Sequence, residues 1–195
     1  EMEAHDIARL MLHLQGQGCH NINFVSPSHV VAQVIEAVAV AAEEGLELPI
    51  VYNTGGYDSP EALALLDGIV DIYMPDVKYG DSDVARRFSK VRGYAPVNRA
   101  ALREMHRQVG DLKTDEDGTA TRALLVRHLV LPKGLAGSRT VLRFLADEIS
   151  PNTYVNIMAQ YRPCYRAGEH AELNRRPTNE EMAAALEYAR QAGLT

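Results

Sequence analysis

The sequence predicts an α/β fold with a parallel sheet in a single domain. Three observations lead to this prediction. Short apolar segments typical of buried strands alternate with amphipathic segments at helical spacing. This alternation runs along the chain and favours a parallel sheet covered on both faces. The 195 residues contain no break in composition, repeat or low-complexity stretch that would mark a second domain.

Composition excludes several classes of protein. Apolar residues make up 46% and charged residues 24%, which is typical of a globular domain. No apolar run approaches the roughly 18 residues of a membrane span, and a net charge of −6 argues against a nucleic-acid partner. Cys19 and Cys164 lie far apart and form no zinc motif. Since no signal peptide precedes the first helix, a cytoplasmic location is expected.

The first half of the chain predicts three strands and three helices. Gly16 and Gly18 end the first helix, and Ser28 is a candidate N-cap for the second, which Gly45 closes. Ser59 and Pro60 give the favoured start of the third helix. The predicted strands are residues 21–25, 49–52 and 69–74, and the predicted helices are residues 7–14, 30–44 and 60–68.

The second half predicts two more strands, at 124–131 and 154–158, and four helices. Residues 111–121 are acidic and polar, which indicates an exposed loop or hairpin. Residues 161–176 form a long loop rich in Arg and Tyr, either solvated or a lid or partner-binding loop. The predicted helices cover 83–91, 97–109, 138–149 with Ser138 as N-cap, and 178–193 with a capping box of Thr178 and Glu181.

Polar and Gly- or Pro-rich residues follow each of the five strands. Ligands of parallel α/β proteins bind at these carboxyl ends. Asp76 and Lys78 stand two residues apart on an extended segment, so both side chains point to one face. They form either part of a ligand site or a structural ion pair.

Other candidates also have structural roles, which the sequence alone favours at least as much as ligand binding. Asn53 and Thr54 open a Gly-Gly loop that either approaches a ligand or makes a tight turn. Ser26, Pro27 and Ser28 precede a helix and either bind an anion or cap the helix.

Arg127 and His128 lie inside an apolar strand. Arg127 is a possible ligand contact, and His128 is its outward or packed neighbour. His20 and His29 flank the first strand beside Cys19, but their spacing fits no tight metal motif, so ordinary histidines are favoured.

Five segments in order resemble one known family, the branch of the radical S-adenosylmethionine (SAM) superfamily that is similar to pyruvate formate-lyase activating enzymes. The resemblance covers essentially the whole chain. Its segments are HNINFVSPSH (20–29), VYNTGGY (51–57), DIYMPDVKY (71–79), VRHLVLP (126–132) and NIMAQYRP (156–163).

The resemblance implies a partial, open TIM-type (β/α)6 barrel and an oxidoreductase. Such enzymes hold a [4Fe-4S] cluster through a CxxxCxxC motif. One electron cleaves SAM, and the resulting radical takes hydrogen from a substrate. The implied partners are a glycyl-radical protein as substrate and flavodoxin or ferredoxin as electron donor.

The resemblance also assigns cofactor-binding positions. Ser26, Pro27 and Ser28 occupy the place of the family's Gly-Gly-Glu turn, without its glycines and Glu. Asn53 and Thr54 match a strand end that contacts the methionine or ribose of SAM. The remaining assignments are Asp76 and Lys78 in the Asp-x-Lys motif near the SAM carboxylate, Gln160 and Tyr161 near adenosine, and Arg127 as a further contact.

The chain departs from the family because it contains no CxxxCxxC, and two cysteines cannot replace three thiolates. We therefore expect the first strand and cluster loop to be missing, and residues 1–195 to be the carboxyl-terminal portion of a longer enzyme or a remnant without the chemistry.

Two other functions stay open. One is a barrel lyase or aldolase with Lys78 as Schiff-base nucleophile. Such a nucleophile must be a neutral amine, whereas the nearby Asp76 carboxylate would favour the charged form of Lys78. The other is a non-catalytic SAM- or partner-binding scaffold.

Overall fold

The computed structural model describes residues 2–194, which contain seven α-helices and six strands. The helices are α1 (Ala4–Gly16), α2 (Val31–Glu43), α3 (Pro60–Ala64), α4 (Ser82–Ser89), α5 (Tyr94–Val109), α6 (Ser138–Phe144) and α7 (Asn179–Ala192). The strands are β1 (Ile22–Val25), β2 (Ile50–Thr54), β3 (Ile72–Val77), β4 (Lys113–Thr114), β5 (Ala120–Leu129) and β6 (Tyr154–Met158). The α/β class predicted from the sequence is therefore confirmed.

The strands form one open sheet in the order β1-β2-β3-β5, with both β4 and β6 on the far edge of β5. All pairs are parallel except β4 with β5. The long β5 accommodates two partners because β6 pairs with Leu125–Leu129, whereas β4 pairs with Ala120 and Arg122 near its start. Within residues 2–194, β1 pairs only with β2.

The helices pack on one face of the sheet. Alternate strand residues such as Tyr52, Tyr73 and Val126 join the helices in the main core. On the opposite face, Val51 and Ile72 belong to a smaller apolar cluster that contains no helix residue among those described. The prediction that helices cover both faces is thus wrong. The uncovered face is apolar in its middle and carries charged side chains towards the carboxyl ends of the strands.

Two strands differ from their predicted bounds by three residues or more. The third strand was expected at 69–74 and lies at Ile72–Val77, so that Asp76 is within the strand. Pro75, which lacks an N–H, interrupts the pairing of β3 with β5 but not the strand itself, because pairing resumes at Asp76. The fourth predicted strand, 124–131, begins earlier, at Ala120, because the acidic segment before it forms a hairpin with β4.

Two predicted helix starts are confirmed. The Ser59 hydroxyl accepts a hydrogen bond from the Ala62 N–H at the start of α3. Thr178 and Glu181 form the predicted reciprocal capping box of α7.

The other two predicted N-caps, Ser28 and Ser138, are wrong. Val30 caps α2 and Gly137, at φ +66°, caps α6, neither with a side-chain hydrogen bond. Both serine hydroxyls instead contact buried polar side chains from other elements. The predicted helix at 138–149 also changes after Phe144 to a single π-helical turn.

Residues 161–176 follow the prediction of a long loop, with one short 3-10 segment at Tyr165–Glu169. No helix within residues 2–194 has both the length and the apolar surface that crossing a bilayer would require.

Candidate functional site

Four of the predicted site residues meet at the carboxyl ends of adjacent strands. Asn53 lies on β2, Asp76 on β3 and Arg127 on β5, and Lys78 directly follows β3. The sheet register places Asp76 beside Arg127. By the alternation of strand side chains, Asn53, Asp76 and Arg127 all point to the sheet face that the helices leave uncovered.

These four side chains form one ion-pair network. Asp76 forms ion pairs with both cations: its Oδ1 lies 2.7 Å from Arg127 Nη2 and its Oδ2 lies 2.5 Å from Lys78 Nζ. The same Arg127 nitrogen donates to Asn53 Oδ1 at 2.7 Å. The prediction that Asp76 and Lys78 share a face is therefore confirmed. The network holds two cations against one carboxylate, which leaves a positive charge at the mouth of the sheet.

Arg127 retains an unused donor. Its Nε–H is buried and finds no hydrogen-bond partner among the described residues. An unpaired buried N–H carries a desolvation cost, which an oxygen of a bound ligand would relieve. The exposed fraction of the side chain falls from 39% for Lys78 to 24% for Arg127 and 19% for Asp76. Lys78 is thus the cation that can most easily reach a ligand.

A second polar cluster is centred on Asp58 and includes Tyr52 and Thr54, whose side chains point to the helix-covered face of β2. This carboxylate is 4% exposed. It accepts from Ser28 Oγ at 2.5 Å, Thr54 Oγ1 at 2.6 Å and Tyr52 Oη at 3.3 Å. Burial raises the pKa of Tyr52 to about 12, so its hydroxyl remains a donor at neutral pH. Because the hydroxyl protons of Ser28 and Thr54 point to Asp58, their oxygens present lone pairs elsewhere.

Thr54 and Asn53 point to opposite faces of β2. The Thr54 side chain is buried, and its oxygen already accepts from the Gly56 N–H at 3.2 Å. Ser28, in contrast, is exposed at the rim. The structure therefore does not bring the Thr54 hydroxyl into the network of Asp76, and the contact predicted for Thr54 stays a prediction.

Two residues that the sequence reasoning missed fix the loops around the network. Asn98 on α5 donates to the carbonyls of Gly56, at 2.7 Å, and Asp76, at 3.2 Å. The Tyr94 hydroxyl accepts from the Lys78 N–H at 2.9 Å, and burial raises the pKa of Tyr94. Neither residue has a signal in the sequence, because both act through backbone atoms that are distant along the chain. Asp58 was missed because it reads as an ordinary loop residue.

The remaining predicted positions lie at the rim. Ser26, at φ +56°, donates its N–H to the Asn53 carbonyl at 2.8 Å and turns the chain into the buried Pro27. Gln160 is exposed after β6, and the Tyr161 hydroxyl donates to the Leu173 carbonyl at 2.9 Å. Within residues 2–194, neither Gln160 nor Tyr161 hydrogen bonds to the network of Asp76. Their predicted contact with adenosine remains a prediction.

His128 is fully buried, as the packed neighbour of Arg127. Its Nδ1 lies 2.8 Å from the Val77 carbonyl and its Nε2 lies 2.8 Å from Ser138 Oγ. Burial lowers the pKa of His128 to about 4, so the ring is neutral at pH 7. It ties β5 to β3 and α6 rather than facing a ligand.

The described residues do not fit an iron–sulfur cluster. No group of three His, Cys, Asp or Glu side chains within residues 2–194 could hold a metal ion. Cys19 is half-buried after α1 and Cys164 is exposed in the loop after β6. A [4Fe-4S] cluster would need its cysteine ligands from elsewhere.

The comparisons with known proteins identify a relative but no family. No protein-family model matches the chain. The chain is similar to the uncharacterized protein MJ0674 of Methanocaldococcus jannaschii, with 30% identity over 192 residues. The match covers 97% of this chain and 51% of that protein, so the chain spans about half the length of this curated relative.

Proposed function

We propose that this chain forms the SAM-binding part of a radical SAM enzyme similar to pyruvate formate-lyase activating enzymes. The ion-pair network of Asn53, Asp76, Lys78 and Arg127 carries the proposal. It supplies two cations and one unused donor at the carboxyl ends of parallel strands, where ligands of such sheets bind. The open sheet, with helices on one face, would then be part of a partial (β/α)6 barrel whose interior is the uncovered face.

Each residue has a distinct part in binding. Asp76 holds both cations in place, and Arg127, anchored also by Asn53, keeps a fixed orientation. Lys78, the more exposed of the two cations, would pair with the methionine carboxylate of SAM. Ser28, which is exposed and donates its hydroxyl proton to Asp58, is a candidate acceptor for a ligand ammonium. Together, the network and Ser28 would suit a zwitterionic amino-acid group.

When bound next to a reduced cluster, SAM supplies a carbon radical that abstracts hydrogen. The residues of this chain would bind and orient it. Because they do not fit the cluster, its ligands belong to residues outside this chain in the proposal. A glycyl-radical protein as substrate, flavodoxin or ferredoxin as electron donor, and a location in the cytoplasm are parts of the same proposal.

The geometry favours this function over a lyase with Lys78 as nucleophile. A Schiff base needs a neutral amine, whereas the Lys78 Nζ lies 2.5 Å from the Asp76 carboxylate in a partly solvated position.

The test uses the protein expressed anaerobically from the whole open reading frame in which this chain lies. We expect about four irons per chain and SAM-dependent formation of 5′-deoxyadenosine. Calorimetry should show that Lys78→Ala and Arg127→Ala each weaken SAM binding by roughly tenfold or more. Lys113→Ala, an exposed lysine on β4, is the matched control and should bind as the unmodified protein does.

Decarboxylated SAM tests the assigned contact. It should bind more weakly than SAM, and Lys78→Ala should not weaken it further, because the partner carboxylate is gone. Absence of both iron and SAM binding would refute the proposal. SAM binding without cleavage by the iron-loaded protein would favour a non-catalytic scaffold, and borohydride trapping of a carbonyl substrate on Lys78 would favour the lyase.

A further inference from the structure

A cavity on the helix side of the molecule lies apart from the network of Asp76. It is an open groove of about 520 Å³ between α5 and α6. Three arginines line it, Arg99 from α5 and both Arg139 and Arg143 from α6, together with the carboxylates of Asp147 and Glu148. No residue assigned to SAM binding lines this cavity.

Two of the three arginines that line the groove, Arg99 and Arg139, lie over aromatic rings. The Arg99 guanidinium lies over the ring of Phe144, 5.0 Å from its centroid, and Arg103 lies over the same ring at 5.3 Å. Phe144 itself is buried. Arg139 lies over Tyr188 of α7 at 5.9 Å. A stacked guanidinium uses its face and leaves its N–H edge available, so these arginines are oriented before a ligand arrives.

Positive charge is in excess here. Within residues 2–194, no carboxylate lies within 4.0 Å of Arg99 or Arg139, and Arg143 reaches Asp147 only at 4.0 Å. Of these four arginines, Arg103 is the one that has a close carboxylate partner among the described residues, Glu148. Four guanidinium groups therefore face two carboxylates, although the whole chain carries a net charge of −6. The half-buried Arg99 is the least hydrated of the cations without a partner.

We propose that this cavity binds a phosphate-bearing small molecule. The planar fork of arginine matches two phosphate oxygens at once. Arg139 and Arg143 stand one helical turn apart on α6, so both can face one anion while Arg99 approaches from α5. The cavity lies in the size range of small-molecule sites, which is larger than a single phosphate needs. A diphosphate, free or as part of an ester, is the chemistry that suits it.

Inorganic pyrophosphate, without added metal, is the probe, and titration calorimetry on the unmodified chain and its variants is the measurement. We expect saturable binding that weakens with salt. Arg99→Ala and Arg139→Ala should each weaken it by roughly 10- to 100-fold, since a hydrogen bond to a charged group is lost. Arg139→Lys, which keeps the charge but not the fork, should cause an intermediate loss.

The matched control is Arg86→Ala, which removes the same charge from an exposed arginine on α4. Its affinity should be unchanged. Thermal melting will show whether each variant is folded. We expect the Arg139 variants to fold because Arg139 is exposed. Orthophosphate should bind more weakly than pyrophosphate. If the site accepts phosphate esters, ADP should bind with an affinity similar to that of pyrophosphate.

Three results would overturn the proposal: no saturable binding, equal losses in Arg86→Ala and Arg139→Ala, or binding that Arg99→Ala and Arg139→Ala leave intact. Binding of a hexaglutamate peptide without binding of pyrophosphate would also overturn it and indicate a surface for an acidic protein segment. None of these outcomes depends on SAM, so this site and the proposed function can fail separately.

Discussion

Asp58 is a buried carboxylate that three hydroxyl groups solvate and no cation neutralises within residues 2–194. We expect Asp58→Asn to lower the free energy of unfolding by about 1–3 kcal/mol, because an amide nitrogen cannot accept the hydroxyl protons it would meet. Urea unfolding is the measurement. Asp117→Asn, in the exposed hairpin loop, should change stability by less than about 0.5 kcal/mol. Equal stability of the two variants would mean that the hydroxyls find other partners.

His128 predicts a pH dependence of stability. Burial lowers its pKa to about 4 in the folded chain, against about 6.5 when unfolded. Between these values the unfolded state binds the additional proton, so stability falls as the pH falls through that window. From pH 7 to pH 5 the loss should be about 2 kcal/mol.

Urea unfolding at pH 7 and pH 5 measures this loss, and the His128→Gln variant should show little of it. Between pH 7 and pH 5, carboxylates with a lowered pKa, such as Glu181, contribute little to this loss, because their stabilisation is lost mainly below about pH 4.5. If the His128→Gln variant lost as much unfolding free energy between pH 7 and pH 5 as the unmodified chain, the loss would come from another titrating group.

Single residues differ in how far the sequence predicts their contacts. The pair of Asp76 and Lys78 was predictable, because side chains two apart on a strand share a face. Asp58 was not, because Ser28 lies 30 residues away from it and only the fold brings them together. Arg127 was predictable as a candidate, but its anchoring by Asn53 crosses 74 residues.

The loop between β2 and α3 predicts a sharp contrast between its two glycines. Gly56, at φ +74°, lies so close to β3 that a Cβ would be 2.2 Å from the Asp76 carbonyl oxygen. A Cβ at Gly55 would meet no other atom of the described residues within 4 Å. We expect Gly56→Ala to cost roughly 2 kcal/mol or more, from both crowding and backbone strain.

Gly55→Ala, as the matched control, should be close to neutral in the same thermal or urea measurement. Gly56→Ala should also weaken SAM binding in the protein from the whole reading frame, since it displaces the Asp76 backbone. If the two variants proved equally stable, the loop would have to move away from β3 without cost.

At the level of elements, periodicity predicted the helices and strands well and their ends less well. The extension of β3 past Pro75 was missed because proline is a local signal for a strand end. In the structure Pro75 still pairs with β2, and pairing with β5 resumes at Asp76. Ser138 was read as a cap from its position alone. Its hydroxyl instead contacts His128, a tertiary partner that no local pattern reveals.

Across the whole molecule, alternating strands and helices were enough to predict the α/β class. The sequence could not predict which faces of the sheet the helices cover. Apolar strand residues such as Val51 and Ile72 give the same pattern whether helices or other strand residues surround them. The net charge of the whole chain did not predict the arginine-lined groove, because it averages over local differences in charge. The acidic total conceals the excess of arginines between α5 and α6.

The open sheet predicts self-association of the 195-residue chain through β1. This strand pairs on one side only within residues 2–194, and Val25 at its end is 68% exposed. Leu10 and Leu14 of α1 add exposed apolar surface, at 51% and 41%. An unprotected edge with apolar neighbours favours pairing with another chain. Sedimentation velocity should therefore show association that increases with concentration.

Val25→Lys should weaken this association by about tenfold, because a charge on an edge strand opposes pairing, and should leave the melting temperature unchanged because the residue is exposed. Leu65→Lys is the matched control: Leu65 is 63% exposed and follows α3, which packs on α5. It should associate as the unmodified chain does. A monodisperse monomer with a cooperative melt would contradict the prediction and show that the edge is protected by its short length and twist alone.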